Sequence, residues 1–269
     1  MNKHISIIGC GWLGLPLAAE LVKNGHSVKG STTSVDKMAL LKKVGILAFL
    51  VSISEEGITG PIDACLKDSE ILIINIPPGL RKNPNADFVK QMEFLCKHIE
   101  TSTVKQVLYV SSTSVYEDDV KLSMITEKSP TNGQSATAKQ LIAAEQIFKT
   151  NPNFETTILR FGGLIGEDRN PAKFLSGKTN VKDPEGPVNL IHQKDAIGII
   201  KAIITDQHWN TDFNAASPQH PTRKAYYTSL CELQILPVPQ FEDSGSSIGK
   251  IISSEKVERI LKYDFQHHL

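Results

Sequence analysis

Gly9, Gly11 and Gly14 stand in the segment Gly9-Cys10-Gly11-Trp12-Leu13-Gly14. It follows the isoleucine-rich run His4 to Ile8 and leads into apolar residues at helical spacing from Leu13 to Asn24. At a strand-to-helix turn the first glycine permits the tight bend. The second lets the backbone approach a pyrophosphate, and the third lets the helix pack on the sheet. The helix N-terminus adds unpaired amides and a partial positive charge. Gly9, Gly11, Trp12, Leu13 and Gly14 are therefore expected to hold a nicotinamide dinucleotide.

The next chemistry-bearing cluster selects between two forms of that cofactor. An acid about 20 residues past the glycines would hydrogen-bond an unmodified ribose. Here the second strand ends in Gly30-Ser31-Thr32-Thr33-Ser34 with Lys37 one turn on, although Asp36 is near and no arginine is present. Hydroxyls, backbone donors and one cation suit a 2′-phosphate better than a carboxylate would. Ser31, Thr32, Thr33, Ser34 and Lys37 thus predict NADP in preference to NAD, and Ser34 is also placed to cap the following helix.

These residues need a scaffold, and the hydrophobic pattern supplies one. Strands are expected at His4 to Ile8, His26 to Gly30, Gly45 to Val51, Glu70 to Ile76, Gln106 to Val110 and Glu155 to Arg160. Helices are expected over Leu13 to Asn24, Val35 to Lys43, Asp87 to Thr101 and Ala136 to Lys149. Strand–helix alternation with no hairpin signal implies a Rossmann-type, doubly wound parallel α/β sheet. Glycines and prolines crowd the stretch from Gly162 to Pro187, which reads as a loop-rich lobe. Beyond it a helix over Lys194 to Thr205, a short strand at Asp212 to Asn214 and helices over Pro221 to Ile235 and Ser253 to Leu261 complete the chain. The expected division is a Rossmann domain of residues 1–160 plus 188–216 and a small substrate lobe of 161–187 plus 217–269.

Composition narrows the partners. Over 269 residues, 29 Lys and Arg balance 29 Asp and Glu, so no global field draws nucleic acid or an anionic membrane. No signal peptide or membrane span is read. Cys10, Cys65, Cys96 and Cys231 form no CxxC pair, and no histidine cluster has metal spacing, so neither disulfide framework nor metal is expected and a reducing cytoplasm is. Cys10 reads as a small residue chosen for fit. His267-His268 reads as a frayed tail.

Tyr109-Val110-Ser111-Ser112-Thr113-Ser114-Val115-Tyr116, Lys139, Thr157-Ile158-Leu159-Arg160 with Phe161-Gly162-Gly163-Leu164-Ile165-Gly166, and Val188-Asn189-Leu190-Ile191-His192 with Asp195 resemble segments of the extended short-chain dehydrogenase/reductases. This is the NAD-dependent epimerase/dehydratase group, and the chain looks closest to an atypical, epimerase-like branch. The resemblance runs over most of the chain. It implies that Ser112 orients the substrate and that Lys139 holds the ribose and lowers the pKa of a catalytic tyrosine. It also implies that the cofactor runs past Ile76, Pro77, Ser111, Phe161 and Gly163, and that a homodimer forms through helices including Gln91 to Thr101 and Lys139 to Thr150. His192 with Asp195 resembles a packing element of the family.

The chain departs from the family where the tyrosine should be. Four residues before Lys139 stands Ser135, far too weak an acid to replace a phenol whose pKa is about 10. Tyr116 is the candidate substitute, four residues after Ser112. Thr113 and Ser114 replace the acid pair of the dehydratases, and Phe161-Gly162 stands where sugar-nucleotide enzymes carry asparagine. The first change argues against sugar dehydration and the second against a nucleotide-sugar substrate; a small polar substrate is expected, for which Arg81, Thr113 and Arg223 are candidate contacts. Two functions remain open: an NADP-dependent oxidoreductase or epimerase-like enzyme, or a catalytically silent NADP-binding sensor or regulator.

Overall fold

The computed structural model describes residues 2–80, 83–243 and 246–269. The main sheet has seven strands: β1 (His4–Ile8), β2 (Ser27–Thr32), β3 (Leu47–Leu50), β4 (Ile71–Ile74), β5 (Gln106–Ser112), β6 (Glu155–Phe161) and β7 (Asp212–Ala215). Their order is β3-β2-β1-β4-β5-β6-β7. β1 pairs in parallel with both β2 and β4, β2 with β3, and β4 with β5. The order reverses at β1, which moves outward to β2 on one side and to β4 on the other. That reversal is the hallmark of a Rossmann-type sheet, with its ligand crevice at the carboxyl ends of the strands.

The crossovers are helical because their sequences carry a 3.6-residue apolar period: α1 (Gly14–Lys23), α2 (Val35–Lys43), α3 (Phe88–Glu100) and α4 (Ala136–Lys149). α1 buries Leu17, Ala18 and Leu21, and α3 buries Met92, Leu95 and Ile99. β4 is Ile-Leu-Ile-Ile with every side chain buried, as a central strand covered on both faces requires. α5 (Gln193–Thr205), α6 (Arg223–Leu233) and α7 (Glu255–Leu261) follow in the second half.

The chain separates into two compact units. The first comprises Met1–Ser111, Ser135–Leu159 and Ile203–Asp212, and the second Ser112–Gln134, Arg160–Ala202 and Phe213–Leu269.

Several expectations change. A hairpin does exist: Ser52–Ser54 pairs antiparallel with Gly57–Thr59 across a two-residue turn that ends at Gly57, whose φ of 138° favours glycine. A short helix, Ile62–Leu66, also precedes β4. The glycine-rich stretch is not all loop, since Gly163–Ile165 pairs in parallel with Leu190–His192. A Cβ on Gly162 would stand 2.6 Å from the Asn189 carbonyl oxygen, so close backbone approach explains that glycine. Ser34 sits at the start of α2, but its side chain makes no capping bond.

The C-terminal segment is anchored within the second unit and is not a frayed tail. The buried Asp195 carboxylate accepts from Tyr263 Oη at 2.9 Å, from the Gln266 and His267 backbone N–H groups and from His267 Nδ1. The His267 ring stacks on His192 with centroids 3.9 Å apart. Asp195 thus works as an internal anchor for residues far along the chain.

Candidate functional site

In the first unit a cavity of about 220 Å³ opens at the carboxyl ends of β1, β2 and β4. Gly9, Cys10, Gly11, Ser31, Thr32, Thr33, Lys37, Ile76 and Pro77 line it, as do Ile8, Val51, Ile53 and Asn75, which the sequence did not single out. Gly9 and Gly11 and the end of β2 are 20 residues or more apart in sequence, and the parallel β1–β2 register brings them to one mouth.

Contacts within the chain separate the roles of the three glycines. Gly9 has a φ of 103°, and a Cβ there would collide with the Asn75 carbonyl oxygen. A Cβ on Gly14 would collide with the Gly9 carbonyl oxygen and lie 3.1 Å from Asn75 Nδ2. Gly11 differs. Among the described residues nothing lies within 4 Å of where its Cβ would be, and its φ falls outside the left-handed region.

Helix starts differ in their caps. α3 is capped by Asp87, α4 by Ser135 and α6 by Thr222, each accepting from a first-turn amide. α1 and α2, which follow the turns beside the cavity, have no side-chain cap, and neither does α7; Leu occupies the α1 N-cap position. A polar N-cap is worth about 1 kcal/mol to a helix. A helix start without one keeps its first-turn amides and positive dipole end available to an anion.

The hydroxyls at the end of β2 divide into internal and outward-facing groups. Ser31 is 3% exposed, and its Oγ accepts from the Gly9 N–H at 3.1 Å, leaving its own proton to donate. Thr32 Oγ1 accepts from the Ser34 N–H. Thr33 and Lys37 are exposed and line the cavity. Cys10 packs against Gly30, where a Cβ would come within 2.6 Å of its Sγ. Burial pushes its thiol up to about 12, so it is a fitted small residue with no thiolate character.

The remaining predicted residues lie outside this cavity lining. Trp12, Leu13, Gly14 and Ser34 belong to the adjoining turns, with Leu13 buried. The Ser111 hydroxyl donates to the buried carboxylate of Glu145 at 2.5 Å. Lys139 is exposed on the first turn of α4, and its backbone N–H bonds to the carbonyl of Ser135. Ser135 itself caps α4 through Oγ, accepting from the Ala138 N–H at 3.1 Å. Serine at that position is thus explained by helix capping.

In the second unit, Ser112 accepts from the Ser114 N–H at the head of the turn Thr113–Val115, where Thr113 is buried. Tyr116 is 2% exposed. Its hydroxyl donates to Asn214 Oδ1 at 3.0 Å and accepts from Arg160 Nη1 at 2.9 Å. Those bonds occupy both the proton and the oxygen, so this placement does not carry the reading of Tyr116 as substitute proton donor. Phe161 is buried, while Gly163 meets Leu190. Arg223 opens α6 half-buried, with its backbone N–H on the Gly186 carbonyl and its Nε buried without a partner. Arg81 lies outside the described residues. Among the described residues no group of three metal-type ligands occurs, and no helix is long and apolar enough to cross a membrane.

No family model matches the chain. It is 32% identical over 268 residues to protein YeeZ of Escherichia coli strain K12, an alignment covering 98% of this chain and 96% of YeeZ. A solved putative NAD-dependent epimerase/dehydratase from Methylobacillus flagellatus matches with a TM-score of 0.77 at 21% identity, covering 99% of this chain and 94% of that one. UDP-glucuronic acid 4-epimerase from Bacillus cereus in complex with NAD matches with a TM-score of 0.79 at 14% identity, covering 98% and 92%. At such identities the structural likeness establishes a common fold. With the near-complete alignment to YeeZ, it follows that the chain belongs to the family of protein YeeZ and has the Rossmann-type fold of the NAD-dependent epimerase/dehydratases.

Proposed function

We propose that this chain binds a nicotinamide dinucleotide in the cavity at the glycine turn, favours the 2′-phosphorylated form, NADP, and serves epimerase- or oxidoreductase-like chemistry on a small polar substrate. Gly11 carries the reading. Gly9 and Gly14 are glycines for internal reasons, but nothing among the described residues requires one at Gly11. A ligand approaching the backbone there supplies the reason. The NAD named in the B. cereus epimerase complex agrees in ligand class.

The residues present fit the group. The uncapped start of α1 offers amides to a diphosphate, and its first turn holds no acid to repel one. Ile8, Val51, Ile53, Ile76 and Pro77 give apolar surface for a flat heteroaromatic base. At the ribose end the exposed groups are Thr33 Oγ1 and the Lys37 ammonium, with the Ser31 hydroxyl proton behind them. Donors and a cation there suit a 2′-phosphate, whereas ribose hydroxyls alone would gain from an acceptor.

When bound, the dinucleotide supplies hydride exchange with a carbon bearing a hydroxyl or carbonyl. In this reading Lys139, exposed on the first turn of α4, lends positive charge to the cofactor ribose. Ser112 orients a substrate oxygen. Ser135 holds the helix start that positions Lys139, and Tyr116 supports its own unit through Arg160 and Asn214. The active site is therefore atypical, without the usual tyrosine.

Isothermal titration of NADPH and NADH into the wild type and Lys37→Ala tests the preference. NADPH is expected to bind roughly tenfold more tightly than NADH, and Lys37→Ala to erase the difference by weakening NADPH alone. Tighter binding of NADH contradicts the preference, and no binding of either contradicts the site.

A further inference from the structure

Asn75 follows the four apolar residues of β4 and lines the same cavity. Its side-chain Nδ2 donates to the Gly9 carbonyl oxygen at 3.1 Å, and its backbone N–H donates to the Ile8 carbonyl at 2.9 Å. On the other side of the turn, Ser31 accepts from the Gly9 N–H through Oγ and from the Cys10 N–H through its carbonyl oxygen at 2.8 Å.

Because a peptide unit is planar, these bonds fix more than their own atoms. The Gly9 carbonyl and the Cys10 N–H belong to one plane, held at one end by Asn75 and at the other by Ser31. The Gly9 N–H, held by Ser31 Oγ, fixes the plane before it. The Gly11 N–H takes part in none of these bonds and follows directly from the clamped plane. A rotation of the Gly9–Cys10 peptide would re-aim it and shift the start of α1. Asn75 also faces both constrained glycines, since its carbonyl oxygen excludes a Cβ at Gly9 and its Nδ2 crowds one at Gly14.

We propose that Asn75 is a positioning residue for dinucleotide binding: its amide locks the Gly9–Cys10 peptide so that the turn is preorganised for the diphosphate before ligand arrives. The inference rests on the reading of the cavity as a dinucleotide site. Its physical content is that a clamped turn loses little backbone freedom on binding, whereas a free one must be ordered at the expense of affinity.

Asn75→Leu tests this, because leucine keeps the branched shape, introduces no charge and removes the donor. Two probes separate positioning from general damage. NADP+ carries the diphosphate, whereas adenosine 2′-monophosphate reports only the adenosine and 2′-phosphate end at Thr33 and Lys37. NADP+ affinity, measured by titration calorimetry, is expected to fall about five- to tenfold, the worth of one hydrogen bond. Adenosine 2′-monophosphate affinity, measured by ligand-detected NMR, is expected to stay within about twofold. Unchanged NADP+ binding overturns the proposal, as does an equal loss for both probes, which marks a purely structural role. Wild-type protein that binds neither probe refutes the dinucleotide reading itself. If Asn75→Leu does not fold, Asn75→Ala is measured against the same pair of outcomes.

Discussion

Asp195 accepts two hydrogen bonds from His267, one from the backbone N–H at 3.1 Å and one from ring Nδ1 at 3.0 Å. With Tyr263 Oη and the Gln266 N–H, these satisfy a carboxylate that is 1% exposed. Gly198, one turn along α5, is bare enough for the Tyr263 ring to lie against it. The result is a socket that fixes the end of the described chain to a helix of its own unit.

Removing the acceptor leaves several donors without their partner. Asp195→Ala is expected to lower stability by about 2–4 kcal/mol, measured by urea denaturation, and to remove hydrogen-exchange protection from the Gln266 and His267 amides. Protection equal to wild type would show that the tail is held by other contacts.

Two histidines of the second unit give stability a pH dependence. Burial lowers the pKa of His192, helped by the charge of His267 and opposed by Asp195, and burial lowers that of His220 against its bond to the Val188 carbonyl. A histidine pKa depressed by folding means the folded state binds fewer protons. Its contribution to stability is complete above the ordinary value near 6.5 and is lost as pH falls through the folded value. Melting temperature is therefore expected to drop between about pH 7 and pH 5, and less steeply in a His192→Gln, His220→Gln double variant. Identical slopes for the two proteins contradict this assignment.

The hydroxyl of Tyr116 joins Arg160 to Asn214 inside the second unit. Tyr116→Phe should lower stability by about 1.5–3 kcal/mol, since one of the two bonds involves a charged group, while leaving any NADPH-dependent carbonyl turnover in place. Turnover abolished at unchanged stability would return Tyr116 to the role of proton donor.

What could be read from sequence alone was what is local or periodic. The glycine turn declares itself because its constraint spans six adjacent positions, and Thr33 and Lys37 because β2 must end beside β1 in a parallel sheet. The strand–helix alternation yields the sheet most plainly at β4, which is wholly apolar and buried, whereas β2 and β6 carry polar residues among their buried positions. The hairpin at Ser52 to Thr59 escapes, because two three-residue strands carry too little alternation to register. Asn75 was hidden for another reason. Its clamp joins residues 66 positions apart, and its only sequence trace is an amide ending an otherwise apolar strand. Asp195 and its tail are likewise a long-range arrangement with no periodic signature. Ser135 looked like a lost tyrosine in the sequence, and the structure adds the reason serine suits the place, a helix cap.

Gly11 remains the most direct test of the central claim. Its absent Cβ would touch none of the described residues and its φ lies outside the left-handed region, so Gly11→Ala is expected to fold with stability within about 0.5 kcal/mol of wild type. The same variant is expected to lose at least about tenfold in NADPH affinity by calorimetry, because the added methyl occupies the space where the diphosphate meets the backbone. Wild-type affinity in a well-folded Gly11→Ala protein would contradict the claim that this turn cradles a dinucleotide.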